Sequence, residues 1–75
     1  MVKPVFEIVE HIGTLSQSEG SVRTELNLVA WCDRKPKYDI RPWKEGEEGR
    51  EPYKGITLSV EELKALRELL NNMEL

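Results

Sequence analysis

A single cysteine, Cys32, and a single histidine, His11, occur in the 75 residues. One cysteine excludes an internal disulfide, and one of each excludes a structural zinc site built from the usual ligands. No apolar run approaches the roughly 20 residues of a membrane-spanning helix. The start, Met1-Val2-Lys3-Pro4-Val5-Phe6-Glu7, lacks the apolar core of a secretory signal. A cytoplasmic protein is therefore expected, with association with the nucleoid allowed for. Cys32 suits a reducing compartment, and its apolar setting, Leu28-Val29-Ala30-Trp31, predicts a small buried hydrophobe. A chain this short forms one domain, residues 1–75, and buries only about 60% of the surface its unfolded form exposes. With disulfide and metal both excluded, a partner subunit is the remaining stabilising device, so a homodimer is expected.

Charge is unevenly spread, although the total is only −3. Residues 1–20 carry net −2 and residues 45–75 carry net −4. Between them, Arg23, Arg34, Lys35, Lys37, Arg41 and Lys44 face Glu25, Asp33 and Asp39, a net of +3. Both tryptophans, Trp31 and Trp43, lie in that positive stretch. The distribution, more than the sum, decides whether a polyanion can bind.

Periodicity predicts strands followed by a helix. Phe6 to Ile12 is rich in β-branched residues, with Phe6, Ile8 and Ile12 on one side if Glu10 is accommodated. The cluster Ser16-Gln17-Ser18-Glu19-Gly20 reads as a turn. A second strand spans Val22 to Cys32. Thr24, Leu26, Leu28 and Ala30 form its core side, while Arg23, Glu25, Asn27, Val29 and Trp31 lie opposite. After a turn at Asp33–Pro36, Lys37 to Arg41 alternates again. Tyr38 and Ile40 are expected inside, and Lys37, Asp39, Arg41 and Trp43 outside. Pro42 cannot donate to a ladder and is expected to end this strand or mark an edge. Lys44 to Pro52 reads as a solvated loop, and Tyr53 to Leu58 as a fourth strand with Ile56 and Leu58 in the core. Ser59-Val60-Glu61-Glu62 is a capping box, with Leu58 and Leu63 able to form a hydrophobic staple. It opens a helix from Val60 to about Asn72 whose apolar stripe is Val60, Leu63, Leu66, Leu69, Leu70 and Met73. The fold class is α+β: a four-stranded curved antiparallel sheet and one C-terminal helix, with the stripe wide enough to touch a second subunit.

Catalytic constellations are not found. Ser59 is accounted for as a cap, Cys32 has no base near it in sequence, and Lys54-Gly55-Ile56-Thr57 lacks phosphate-loop spacing. Neither an enzyme nor a cofactor or metal site is expected. The outer sheet face, by contrast, interleaves cations and aromatics: Arg23, Trp31, Lys37, Arg41, Trp43 and Tyr53, with Lys35 and Lys54 adjoining. Cations that track phosphates and flat rings that receive unstacked bases are what single-stranded nucleic acid requires. Asp39 lies on the same face and can orient Arg41 by pairing. An ordinary solvated rim beside core or interface tryptophans would give the same pattern.

The run Lys37-Tyr38-Asp39-Ile40-Arg41-Pro42-Trp43, followed by Lys54-Gly55-Ile56-Thr57-Leu58-Ser59 and a Glu/Leu-rich helix, resembles the transcriptional coactivator positive cofactor four family, most closely its bacterial YdbC-type members. Glu25 to Trp31 also resembles the second strand of that branch. The resemblance implies a dimer whose sheets form a channel for single-stranded DNA. It implies base stacking by Trp31 and Trp43, and phosphate contact by Lys35, Arg41 and Lys54. Pro42 puts Trp43 one residue closer to Asp-Ile-Arg than in eukaryotic members, and no Ser/Lys-rich tract is present to imply coactivation. The expected function is largely sequence-independent single-stranded DNA binding in transcription, replication or repair. An RNA-binding module on the same sheet, or a protein-interaction adaptor using the acidic helix and loop, are the alternatives.

Overall fold

A computed structural model describes residues 5–18 and 20–75. Residues 1–4, and Glu19 in the expected turn, lie outside the described residues. Strands β1 (Phe6–Gln17), β2 (Val22–Trp31), β3 (Lys37–Gly46), β4 (Gly49–Pro52) and β5 (Ile56–Leu58) precede helix α1 (Val60–Asn71). The sheet order is β1-β2-β3-β4, and β5 also pairs with β3. Every pairing is antiparallel. The α+β class stands, with five strands rather than four.

Three of the predicted boundaries change, each for a local reason. β3 does not stop at Pro42. Its outer edge pairs with β5 through Ile40 and with β4 from Trp43 onward. Pro42 falls between the two partners, and its carbonyl accepts from the Tyr53 N–H at 2.9 Å. Lys44 to Pro52 is not a loop but most of a hairpin: Gly46 opposes Gly49, and only Glu47 and Glu48 are left to turn. Gly49 takes φ +111°, a conformation open to glycine. The fourth strand shrinks to Ile56–Leu58, and Ile56 is exposed rather than in the core. Cys32 is also corrected. It sits at φ 50° beside Asp33 at φ 62°, so the reversal places it at an exposed turn tip.

β1 is longer than predicted and departs from the two-residue period. Register shifts at Ile8/Glu10, His11/Gly13 and Thr14/Ser16 leave Val9, Ile12 and Leu15 without partners. With one residue inserted each time, residues three apart return to the same face. Ile8, His11, Thr14 and Gln17 thus oppose Val29, Asn27, Glu25 and Arg23. Ile12 leaves the face shared by Phe6 and Ile8 and is exposed.

The better covered sheet face is the opposite of the one expected. Val29, Asn27, Asp39 and Trp43 are completely buried, and Glu25 nearly so, while Leu26, Leu28, Tyr38 and Ile40 are half-buried. Curvature explains the inversion. Trp43 opposes Arg23, eight residues along β2 from Trp31, which on a flat sheet would separate them by about 26 Å. Their rings instead lie 6.2 Å apart. The sheet curls around the odd-numbered side chains of β2 and β3, making that face concave.

α1 begins with the predicted capping box. The Glu62 N–H donates to Ser59 Oγ at 3.1 Å, and the Ser59 N–H donates to Glu62 Oε1 at 2.9 Å. Those hydrogen bonds, the backbone one foremost, and the charge of Lys37 hold the Glu62 carboxyl below its ordinary value. No helix residue is buried: Leu63 and Leu66 are half-covered, while Val60, Leu69, Leu70 and Met73 stay exposed.

Candidate nucleic-acid interface

Three aromatic rings from two ends of the sheet meet in the concavity. Phe6 lies tilted against Trp31 at 5.8 Å and Trp43 at 5.0 Å, and the two indoles are stacked, 11° from parallel. Arg41 places its guanidinium carbon 4.5 Å from the centre of Trp31, and Arg50 places its own 5.1 Å from Trp43. Cation–π contacts of this kind favour parallel plates. Trp43 is 0% exposed. It therefore presents no free ring face, whereas Trp31 is half-buried and borders solvent.

The same face carries polar residues that pair both along and across strands. Arg41 donates from Nε to Asp39 Oδ1 and from Nη2 to Asp39 Oδ2, both at 2.6 Å. The Thr57 hydroxyl donates to Asp39 Oδ2 at 3.1 Å. A second network surrounds Glu25, which is 3% exposed. Its oxygens accept from Arg50 Nη2 at 2.7 Å and Asn27 Nδ2 at 3.0 Å. Asn27 Oδ1 in turn lies 2.7 Å from His11 Nδ1, a contact that requires the proton on that nitrogen. Burial pushes the Glu25 carboxyl up, but the bonds from Arg50 and Asn27 and the charges of Arg50 and His11 outweigh it, so it sits below its ordinary value. Arg23 and Arg50 also share Glu45, at 3.2 and 3.0 Å. The acids on this face are thus neutralised by its own arginines.

A depression of about 310 Å³ opens beside the aromatic cluster, lined by Trp31, Arg34, Lys35, Lys37, Arg41 and Thr57. Four of the eight residues expected from sequence, Trp31, Lys35, Lys37 and Arg41, come together there. Arg34 and Thr57 were missed. Arg34 is the turn neighbour of Lys35, and Thr57 reaches the site because it opposes Asp39 on β5. Arg23, Trp43, Tyr53 and Lys54 do not line it. Arg23 is tied to Glu45, Tyr53 is partly exposed and offers its carbonyl to Arg41 Nη1 at 3.3 Å, and Lys54 is exposed nearby in sequence. A larger depression, about 530 Å³, lies over the β3–β4 hairpin. Its lining sets Lys44 and Arg50 against Glu47, Glu48 and Glu51, an acidic balance that repels a polyanion, so the smaller basic one is the better candidate. Among the described residues, no three His, Cys, Asp or Glu side chains cluster to hold a metal ion.

The family model described as Transcriptional Coactivator p15 (PC4) matches residues 19–69, from three residues before β2 through most of α1. The chain belongs to the PC4 family. An uncharacterized protein of Treponema pallidum (strain Nichols) is 41% identical over 70 residues, covering 93% of this chain and 80% of that protein. PC4 proteins are non-enzymatic, and the family is known for single-stranded DNA binding and coactivation. The Lys54-Gly55-Ile56 run of this PC4 protein has a steric reason at its centre. A Cβ on Gly55 would fall 2.8 Å from Arg41 Cα and would overlap Arg41 Cβ and the Ile40 carbonyl. Only glycine lets the segment before β5 pass this close behind Arg41.

Proposed function

We propose that this PC4 protein binds single-stranded DNA, largely without regard to sequence, at the basic depression beside Trp31, and that it does so as a cytoplasmic homodimer serving transcription, replication or repair. It makes no covalent change and uses no cofactor. The observation that carries this reading is the gathering of Trp31, Arg34, Lys35, Lys37 and Arg41 around one depression. Arg34 and Lys35 are exposed and enter no ion pair among the described residues, so their charge is available to phosphates. Trp31 supplies the ring on which an unstacked base can rest. Binding of this kind is driven by stacking and counterion release, which tolerate any base.

The dimer is supported by what one subunit leaves uncovered. Val60, Leu69, Leu70 and Met73 on α1 and Val9, Ile12 and Leu15 on β1 are all exposed. So much apolar surface on a small monomer marks an interaction site.

The test is tryptophan fluorescence during titration with a short oligothymidine at several salt concentrations. Quenching is expected, with a log–log salt slope near −0.7 for each phosphate contacted. Trp31 would carry the change over a constant background from buried Trp43. Absence of quenching at low salt, in a folded protein, would refute the reading and leave the exposed helix face as the working surface.

A further inference from the structure

Arg41 is one of three cations, with Lys35 and Lys54, for which the family resemblance implies phosphate contact, yet its hydrogen-bonding capacity is nearly used up. A guanidinium has five N–H groups. Nε and Nη2 hold Asp39, Nη2 also reaches Thr57 Oγ1 at 3.5 Å, and Nη1 donates to the Tyr53 carbonyl at 3.3 Å. One N–H remains, too few for the two-pronged grip that arginine uses on phosphate. Releasing Asp39 to free the others would strand a carboxylate at 0% exposure, which is strongly disfavoured. The Asp39–Arg41 pair also carries no net charge, so it releases no counterion. What Arg41 does offer is a flat, rigidly held plane. It lies over Trp31 and lines the same depression, and guanidinium planes receive unstacked bases as aromatic rings do.

We propose that Arg41 acts as a base-stacking plate continuing Trp31, that Asp39 and Thr57 are positioning residues which neutralise and fix it, and that Arg34 with Lys35 supplies the phosphate contacts. This rests on the single-stranded DNA reading and refines it: bases are received on the β3 side of the depression, phosphates on the β2–β3 turn. Asp39 braces the plate along its Nε–Nη2 edge, and the Thr57 hydroxyl, donating to Asp39 while accepting from Arg41, locks the pair against rotation.

The experiment compares oligothymidine with an abasic oligonucleotide of equal length, each titrated across a salt series. Failure of the unaltered protein to bind either strand refutes the single-stranded DNA reading itself. Given binding, Arg34→Ala should flatten the slope by about 0.7 and weaken both strands alike. The paired substitution Asp39→Asn with Arg41→Gln removes both charges together. It should keep the slope, weaken oligothymidine by about five-fold or more, and leave the abasic strand within about two-fold. Thr57 is exposed, so Thr57→Val keeps the fold even where the paired variant does not, as circular dichroism would report. It should show the same selective loss with an unchanged slope. A slope flattened by about 0.7 in the paired variant, with both strands weakened equally, would make Arg41 a phosphate ligand and overturn the proposal. Equal effects of Thr57→Val on both strands would overturn the positioning role.

Discussion

Trp43→Phe separates a structural tryptophan from a binding one. The ring is completely buried, packed on Phe6 and Trp31 and covered by Arg50. Truncating a buried tryptophan to alanine costs about 3–5 kcal/mol. The whole domain, at about 0.05–0.15 kcal/mol per residue over 75 residues, has only about 4–11 kcal/mol to lose. Alanine would therefore risk unfolding, and phenylalanine is the usable change. It keeps an aromatic face toward Phe6 and gives up the second ring, for an expected loss of about 2 kcal/mol. With a urea slope near 1 kcal/mol/M for so small a protein, the unfolding midpoint should fall by about 2 M, read at fixed protein concentration because association would shift it. Oligothymidine affinity at low temperature should change by less than about three-fold, since Trp43 is completely buried and offers no free ring face for stacking. An unmoved midpoint together with a large loss of affinity would refute this, because it would place the ring on the ligand rather than in the core.

Glu25→Gln should alter the acid limb of the stability curve. A carboxyl held below its ordinary value when folded stabilises the protein above the unfolded value of 4.5, and that contribution disappears as pH falls through the folded value. Equilibrium unfolding measured from pH 7 to pH 2 should show a shallower acid slope in the variant, and stability at pH 7 lower by roughly 1–3 kcal/mol. Parallel curves would exclude Glu25 as a contributor to acid unfolding. Gly55→Ala should cost about 3 kcal/mol, because the new carbon meets Arg41 Cβ and backbone of β3 that cannot easily yield; a midpoint unchanged in urea would contradict the close approach. Leu69→Glu should preserve helicity, Leu69 being 64% exposed in the single subunit, and on the proposed homodimer should shift sedimentation equilibrium toward monomer. Retention of the dimer would move the subunit contact away from this helix face.

What could be read in the residues divides by range. The helix and its cap depend on four consecutive side chains, and they sit where the Ser59–Glu62 pattern puts them. The grouping of Asp39, Arg41 and Trp43 on one face, and of Glu25, Asn27, Val29 and Trp31 on another strand's matching face, follows from a period of two and also holds. Which of the two faces is interior does not follow, because alternation is blind to the sign of curvature. Glu25 looks like a surface residue until Arg50, 25 positions away, is brought to 2.7 Å from it. The β3–β4 hairpin was legible in principle, as Gly46 and Gly49 bracket two residues, but the charge density of the segment masked it. Of the site, Trp31, Lys35, Lys37 and Arg41 were reachable from pattern and resemblance. Thr57 was not, since only the pairing of β5 with β3 delivers it to Asp39.

The outer edge of β1 has a bearing on how such a protein stays dispersed at high concentration. Twelve residues of Phe6–Gln17 form the margin of an open sheet, a length at which unpaired amides and carbonyls invite a stranger's strand. Here the margin is broken at Val9, Ile12 and Leu15. An incoming strand of ordinary pleat would fall out of step within three residues and could not recover its ladder before the next interruption. The irregularity thus works as a frame-shift against templated growth, guarding an edge with neither a covering helix nor a proline among its described residues. Deleting the three extra residues would straighten the strand and turn a guarded sheet edge into a seed for fibrils.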